Sequence, residues 1–226
     1  MKSFIWTKYS NNIEQRSTYR HEFSAKLILR HHPKIVLDVG CGSGALLSFL
    51  PIPIFSVGIE NTEKNAIISS KNGVHVVVAD VAQLPFKNMV FDVVSMLEVL
   101  EHIQKNKQKI SLNEIHKAMK SNSTLIVSVP YASWISKLLD PAWILGHRHY
   151  LESELRELLT HAEFVVKETE TKGGIWELIG MLNLYVCKWI FGRTMVGRSF
   201  FEHRRRLEYE MDKQGFATLF AVGKKQ

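Results

Sequence analysis

The sequence predicts an α/β domain: a mostly parallel sheet with helices on both faces. Short, continuous apolar runs (KIVLDV, IFSVGIE, VHVVVAD, FDVVSM, TLIVSV) recur along the chain, and most are followed by a stretch of helical character. Runs that are apolar at nearly every position belong to strands covered on both faces. Alternation of such strands with helices points to crossover connections and parallel pairing. A glycine cluster directly after the first run marks where such sheets bind ligands, at the carboxyl ends of their strands.

Taken in order, residues 13–31 read as a leading helix with Phe23, Leu27 and Ile28 on one face. Residues 34–39 form a strand that runs into Gly40-Cys41-Gly42-Ser43-Gly44 and then the helix-compatible ALLSFL. Residues 54–60 are a second strand, and Thr62 can cap a helix over TEKNAIISSK. Further strands are expected at 74–80, 91–96 and 124–129, with a helix near 107–120, and Pro130 stops the fifth strand. A loop rich in aromatics and histidine (YASWISKLLDPAWILGHRHY) leads to the helical LESELRELLTHA and a sixth strand at 164–171. Residues 175–212 look helical and 215–222 form the last strand, so a helical insertion splits the last strand pair. That pattern fits an antiparallel edge pair added to a parallel sheet. The expected organisation is one domain over 1–226, with an N-terminal helical segment at about 1–32 and an insertion at about 172–214.

Composition is consistent with a globular core: 226 residues, 46% hydrophobic and 23% charged. A net charge of +7 and a pI of about 9.4 favour anionic partners, although lysine on a solvated surface explains both equally well. Cys41 and Cys187 make neither a disulfide framework nor a cysteine-rich zinc site, so a reducing, cytoplasmic location is expected. The N-terminal residues lack the apolar core of a signal peptide, and the longest nearly uncharged run, LIGMLNLYVC, is too short to span a bilayer.

The segment VLDVGCGSG at 36–44 carries the strongest signal. Glycines at a strand end let backbone approach a ligand, and a following helix N-terminus favours anionic groups. Gly40-x-Gly42-x-x-Ala45 also fits a dinucleotide-binding loop, or a tight turn without a ligand. Its context adds acids. Asp38 precedes the first glycine and suits a cationic group. Glu60 ends the second strand, where a carboxylate can accept both hydroxyls of a ribose. Asp80 ends the third, where one can receive an exocyclic amine.

With these acids in place, the chain resembles the class I S-adenosylmethionine (SAM)-dependent methyltransferases, which share a Rossmann-like, seven-stranded sheet. VLDVGCGSG resembles that family's first motif; GIE at 58–60, VVADVAQLPF at 77–86 and FDVVSMLEVLEHI at 91–103 resemble the next three. HRHYLESELRELLTHAEF at 147–164 resembles the helix before the sixth strand. The resemblance implies that Asp38, Gly40 and Gly42 hold the methionine end of SAM, that Glu60 binds the ribose, and that Asp80 and Val81 read adenine. It implies that Leu97 and Glu98 line the wall beside the sulfonium. Tyr19 either closes over the cofactor or packs within its helix. The activity implied is methyl transfer to a small or lipid-like acceptor, at oxygen.

The stretch EVLEH at 98–102 allows three readings. Glu98 and Glu101 simply solvate the segment after the fourth strand, or they form the cofactor wall with His102 as a base facing the acceptor. Alternatively Glu98, Glu101 and His102 bind a divalent cation, with the two carboxylates on one face of a helical turn and His147 or His149 completing the shell. The arrangement is similar to two metal-dependent groups of the family, which methylate catechol-type hydroxyls in ubiquinone biosynthesis and RNA 2′-hydroxyls. The expectation here is SAM without a required metal, with His102, His147 and His149 as candidate catalytic bases. The alternatives are a metal-assisted RNA 2′-O-methyltransferase, a nicotinamide-dependent oxidoreductase, and a SAM-fold subunit without turnover.

In the insertion, Trp176, Ile179, Leu182, Val186, Trp189 and Ile190 recur at helical spacing, with Leu178, Met181 and Tyr185 broadening the apolar face. Between Lys188 and Arg206 six basic residues (Lys188, Arg193, Arg198, Arg204, Arg205, Arg206) stand against one acid, Glu202. That pattern fits packing on the sheet or on a second subunit, a lid over a lipid-like acceptor, or peripheral membrane contact through 175–206. Nucleic acid ranks below a small molecule as a partner, since no stacking motif for RNA stands out.

Overall fold

The structure is a computed structural model that describes residues 19–139, 148–192, 196–211 and 214–226. Residues 13–18 of the expected leading helix, together with His147 and Arg193, lie outside the described residues, as do the side chains of Tyr185, Lys188 and Trp189.

Seven strands form one sheet in the order β3-β2-β1-β4-β5-β7-β6. They are β1 Ile35–Val39, β2 Phe55–Glu60, β3 His75–Val78, β4 Phe91–Leu97, β5 Met119–Pro130, β6 Phe164–Lys172 and β7 Thr218–Lys225. The first five pair in parallel, and β7 runs antiparallel between β5 and the edge strand β6. From β1 the chain moves outward to β2 and β3, then crosses to β4 and β5 on the other side. The crossing opens a crevice at the carboxyl ends of β1 and β4.

Side chains alternate between the faces, as period-two geometry requires. Val36, Val93, Ile126 and Phe220 pack under helix α1 (Tyr19–Leu29), which contributes Ala25, Leu27 and Ile28. Their neighbours Leu37, Val94, Leu125 and Leu219 pack on the other face against α3 (Lys105–Ala118) and α5 (Glu152–His161), through Leu112, Ile115, Leu155 and Leu159. Between these come α2 (Glu63–Lys71), capped by the Thr62 hydroxyl accepting from Asn65 N–H, and α4 (Trp134–Leu139).

Several expected boundaries move. ALLSFL does not become an α-helix; only a 3₁₀ turn, Leu47–Phe49, follows the glycine loop. Pro51 and Pro53 lie directly beyond it and cannot continue a helix. The expected helix macrodipole at this loop is therefore missing. β5 begins at Met119, inside the expected helix, because Met119 pairs with Phe91 and Lys120 Nζ reaches Asp92 Oδ1 at 2.7 Å. β7 starts three residues later than expected and pairs Thr218 with both Pro130 and Lys172.

The insertion is two helices, α6 (Ile175–Ile190) and α7 (Arg198–Glu210), with left-handed Gly192 and Gly197 in the turn between them. Glu208 of α7 caps α6 from outside: its carboxylate accepts the N–H groups of Gly174 (2.9 Å), Trp176 (2.9 Å) and Glu177 (3.1 Å).

Candidate functional site: the carboxyl edge of the sheet

Asp38 is the most buried of the strand-end acids at 4% exposure. It lies opposite Ser95 in the β1–β4 register, and the Ser95 hydroxyl donates to Asp38 Oδ1 at 2.7 Å. Burial pushes the carboxyl up to about 7; the serine hydrogen bond works against the shift and the charge of nearby Glu60 adds to it. A cation placed against this carboxyl would return it to the ionised form.

The glycine loop follows with Gly40, Gly42 and Gly44 all left-handed (φ 70°, 57° and 79°). At Gly42 a Cβ would meet nothing within 4 Å, so the loop faces open space there. At Gly44 a Cβ would lie 2.2 Å from Val74 Cγ2, which makes glycine obligatory for packing. Glu60 closes the loop: its carboxylate accepts Gly42 N–H (2.5 Å) and the Asn65 side-chain amide (3.3 Å). A carboxylate has about four acceptor positions, so capacity for a diol remains. Asp80 sits in the loop after β3, exposed, with Oδ1 accepting Ala82 N–H at 2.9 Å, and Val81 is half-buried against the core. Cys41, buried between Ser69 and the acids, has its thiol pushed up to about 12 by burial and by the Asp38 charge, which leaves it unreactive.

EVLEH does not place its carboxylates on one helical turn. Glu98 is left-handed (φ 53°), its N–H donating to Ser128 O (2.9 Å) and its Oε1 accepting from the Ser128 hydroxyl (3.1 Å). A short 3₁₀ turn, Leu100–His102, begins only after it. Glu98 Oε2 faces Arg20 of α1 at 3.5 Å, and the same guanidinium reaches Glu177 of α6 at 3.4 Å. Glu101 is buried at 4% exposure with neither carboxylate oxygen hydrogen-bonded. Burial, reinforced by the Glu98 charge, pushes its pKa well above the usual carboxylate range and favours the protonated acid. His102 is exposed. Among the described residues no group of three or more His, Cys, Asp or Glu is arranged to hold a metal ion.

A cavity of about 40 Å³ lies beside Glu98, lined by Arg20, Ser136, His149, Glu177, Leu178 and Met181, with Pro130, Ala217 and Thr218 at the β5–β7 end. His149 Nδ1 is 3.4 Å from the Ser136 hydroxyl. His149 is thus brought to Glu98, whereas His102 is not among the cavity's lining residues. Arg20, Ser136 and Glu177 escaped sequence reasoning, because nothing local links residues 157 apart in the chain. A larger groove of about 360 Å³ between α1 and α7 is lined by Tyr19, Phe23, Lys172 and Tyr209 among others, and holds none of the strand-end acids. Tyr19 stands there under Arg206, with the guanidinium 5.9 Å from its ring.

The fold and this acid-rimmed edge define a class I SAM-dependent methyltransferase domain. The family model for a methyltransferase domain matches residues 12–219, and the chain belongs to that family. Among relatives, the chain is 29% identical over 182 residues to the ubiquinone biosynthesis O-methyltransferase of Rickettsia canadensis, covering 70% of this chain and 75% of that protein. It is 28% identical over 119 residues to the tRNA (carboxymethyluridine(34)-5-O)-methyltransferase of Arabidopsis thaliana, covering 52% of this chain but only 29% of that protein. Among solved structures, a Thermotoga maritima SAM-dependent methyltransferase, described as a possible histamine N-methyltransferase, superposes with a TM-score of 0.63 at 20% identity, over 98% of this chain and 99% of that one. At that identity the superposition speaks for the fold.

Proposed function

We propose that this domain transfers a methyl group from SAM to a hydroxyl oxygen of a small or lipid-like acceptor held beside Glu98. The residues at the strand ends fit SAM. In this reading Asp38, Gly40 and Gly42 hold the methionine end, and the buried Asp38 carboxyl meets the ammonium. Glu60 takes the ribose, Asp80 and Val81 the adenine, and Leu97 and Glu98 wall the sulfonium. SAM supplies an already activated methyl group, so the protein's work is alignment, water exclusion and removal of one proton.

The observation that carries the acceptor side is the cavity next to Glu98, whose lining combines the His149 imidazole and the Ser136 hydroxyl with the apolar side chains of Leu178 and Met181. His149 is the base of this reading. As the hydroxyl oxygen bonds to the methyl carbon, its proton passes to the imidazole, and the carbon–sulfur electron pair stays on sulfur. Arg20 acts through Glu98 and Glu177 as a positioning residue. At about 40 Å³ the cavity admits little more than water, so acceptor entry requires its lining to open. The Rickettsia relative's name supports oxygen as the acceptor atom.

A second reading, an RNA acceptor, is favoured by the Arabidopsis relative and the basic pI of about 9.4. Incubating the protein with methyl-labelled SAM and fractionated extract, with and without chelator, separates the two. Label is expected in lipids or small organic molecules, resistant to chelator and lost in His149→Ala while SAM binding persists. Label in RNA refutes the proposed acceptor class, and chelator-sensitive label refutes transfer without a metal.

A further inference from the structure

The groove between α1 and α7 takes no part in the proposed methyl transfer, yet it has the size and lining of a ligand site. Its volume of about 360 Å³ is that of a small-molecule pocket. Its walls are rings: Tyr19 and Phe23 from α1, Tyr209 from α7. Phe23 and Tyr209 meet edge to face, with centroids 6.1 Å apart. Its charges do not balance. Lys26, Lys172 and Arg206 stand against Glu22 and Glu210, which leaves one positive charge in excess. Lys26 reaches Glu22 at 3.1 Å, and Arg206 reaches Glu210 at 2.8 Å. Lys172 is the cation left over. It is only 8% exposed, a rare state for lysine. Its ammonium lies 5.2 Å from the centre of the Phe23 ring. Among the described residues its one ion-pair partner is Glu170, at 3.4 Å and partly open to solvent. That distance exceeds the roughly 2.7–2.9 Å of a charge-assisted hydrogen bond, and Glu170 does not line the groove. An ammonium has three donors, so most of the capacity of this one is unused.

We propose that the groove binds a small aromatic anion, a flat ring carrying one carboxylate, with the carboxylate on Lys172 and the ring against Tyr19, Phe23 and Tyr209. A single ammonium out of bulk water selects one anionic group, and its attraction for that group is stronger there than at an open surface. Aromatic walls pack better with a flat ring than with a saturated one of similar size. A polyanion is disfavoured, because Glu22 and Glu210 would repel its further charges. The groove is separate from the proposed SAM site, since it holds none of the strand-end acids. It shares walls with the Glu98 cavity. Tyr19 lines the groove while Arg20, next in the chain, lines the cavity. Lys172 lines the groove while Thr218, its partner in the β6–β7 register, lines the cavity.

The test is a nuclear magnetic resonance titration of the isotope-labelled full chain with naphthalenecarboxylate, with and without saturating S-adenosylhomocysteine. No methyl acceptor is present and no turnover is read, so failure of the acceptor reading cannot mimic failure of the groove to bind. Saturable binding is expected, with amide shifts gathered at α1, α7 and Lys172 and no displacement by S-adenosylhomocysteine. Lys172→Met keeps most of the side-chain bulk and should weaken binding at least about tenfold. Tyr19→Ala should weaken it at least about threefold, and so should full saturation of the ligand's rings. Neutral naphthalenemethanol should bind at least about tenfold more weakly than the carboxylate. Lys172→Met should keep the wild-type SAM affinity; should it fail to fold, Tyr19→Ala decides. The proposal is overturned by any of four results: no binding to the wild type, wild-type affinity in either folded variant, equal affinity for the saturated or the neutral analogue, or displacement by S-adenosylhomocysteine with shifts at the glycine loop.

Discussion

Replacing Asp38 with asparagine should make the SAM-free protein more stable and a poorer binder. The carboxyl is raised from 3.8 to about 7, chiefly by burial. Between those values the folded state keeps a proton that the unfolded chain has lost. The group's contribution to stability is therefore fully present below about pH 4, is lost as pH rises through 7, and changes no further above that. At about 1.4 kcal/mol per pH unit, the ionised buried carboxylate costs up to about 4 kcal/mol at pH 8. Asparagine does not titrate, and its amide oxygen can keep the hydrogen bond from Ser95. Its amide hydrogens bring a burial cost of about 1–3 kcal/mol, so a net gain of about 2 kcal/mol is expected at pH 8. For a chain of this size that is roughly 4–8 °C in midpoint. On the same figures the gain vanishes at about pH 5 and becomes a loss of about 2 kcal/mol near pH 4, where the wild-type carboxyl is largely protonated in both states. Under the proposed role, SAM affinity falls by about a hundredfold, since its ammonium loses a buried counter-charge. For the wild type, affinity should rise between pH 5 and 7, because the bound form requires the carboxylate and binding releases a proton. Thermal unfolding at pH 4 and pH 8 reads the first effect, and titration calorimetry in buffers of different ionisation enthalpy reads the second. A variant less stable than wild type at pH 8 would refute the burial argument. One that binds SAM as well as wild type would refute the assignment of Asp38 to the ammonium.

Two further substitutions probe the scaffold. Gly44→Ala combines a left-handed backbone (φ 79°) with a Cβ 2.2 Å from Val74 Cγ2, and should cost about 2–4 kcal/mol in urea unfolding. A loss under about 0.5 kcal/mol would mean the loop relaxes freely. Glu208→Ala removes the acceptor of the Gly174, Trp176 and Glu177 N–H groups and should cost about 2 kcal/mol. Amide exchange should speed up in the first turns of α6 ahead of the sheet; exchange rising uniformly across the protein would argue that α6 has no separate opening.

The parallel core was legible because its cause is local. A run such as IVLDV can bury both faces only inside a covered sheet, so the run itself implies the architecture. The strand-end acids were legible for the same reason, since each follows an apolar run that places it at the carboxyl edge. Met119 to Ser123 was not legible: its lysine, serines and asparagine favour turns, yet pairing with Phe91 and the ion pair to Asp92 draw the segment into β5. EVLEH shows the limit most clearly. Helical spacing suggested two carboxylates on one face, but Ser128 on the neighbouring strand takes Glu98 into a left-handed turn and leaves Glu101 buried.

By itself, then, the sequence determined the alternation of strands and helices, the glycine loop, and which acids lie at the carboxyl edge, because periodicity and backbone sterics act between near neighbours. It did not set the exact strand end, since β3 stops at Val78 and leaves Asp80 in the loop beyond it. Only the tertiary structure decided which side chains meet around Glu98. Arg20, Ser136, His149 and Glu177 come from four separate segments, and their convergence follows from how α1 and α6 pack over the ends of the strands, which no spacing along the chain encodes.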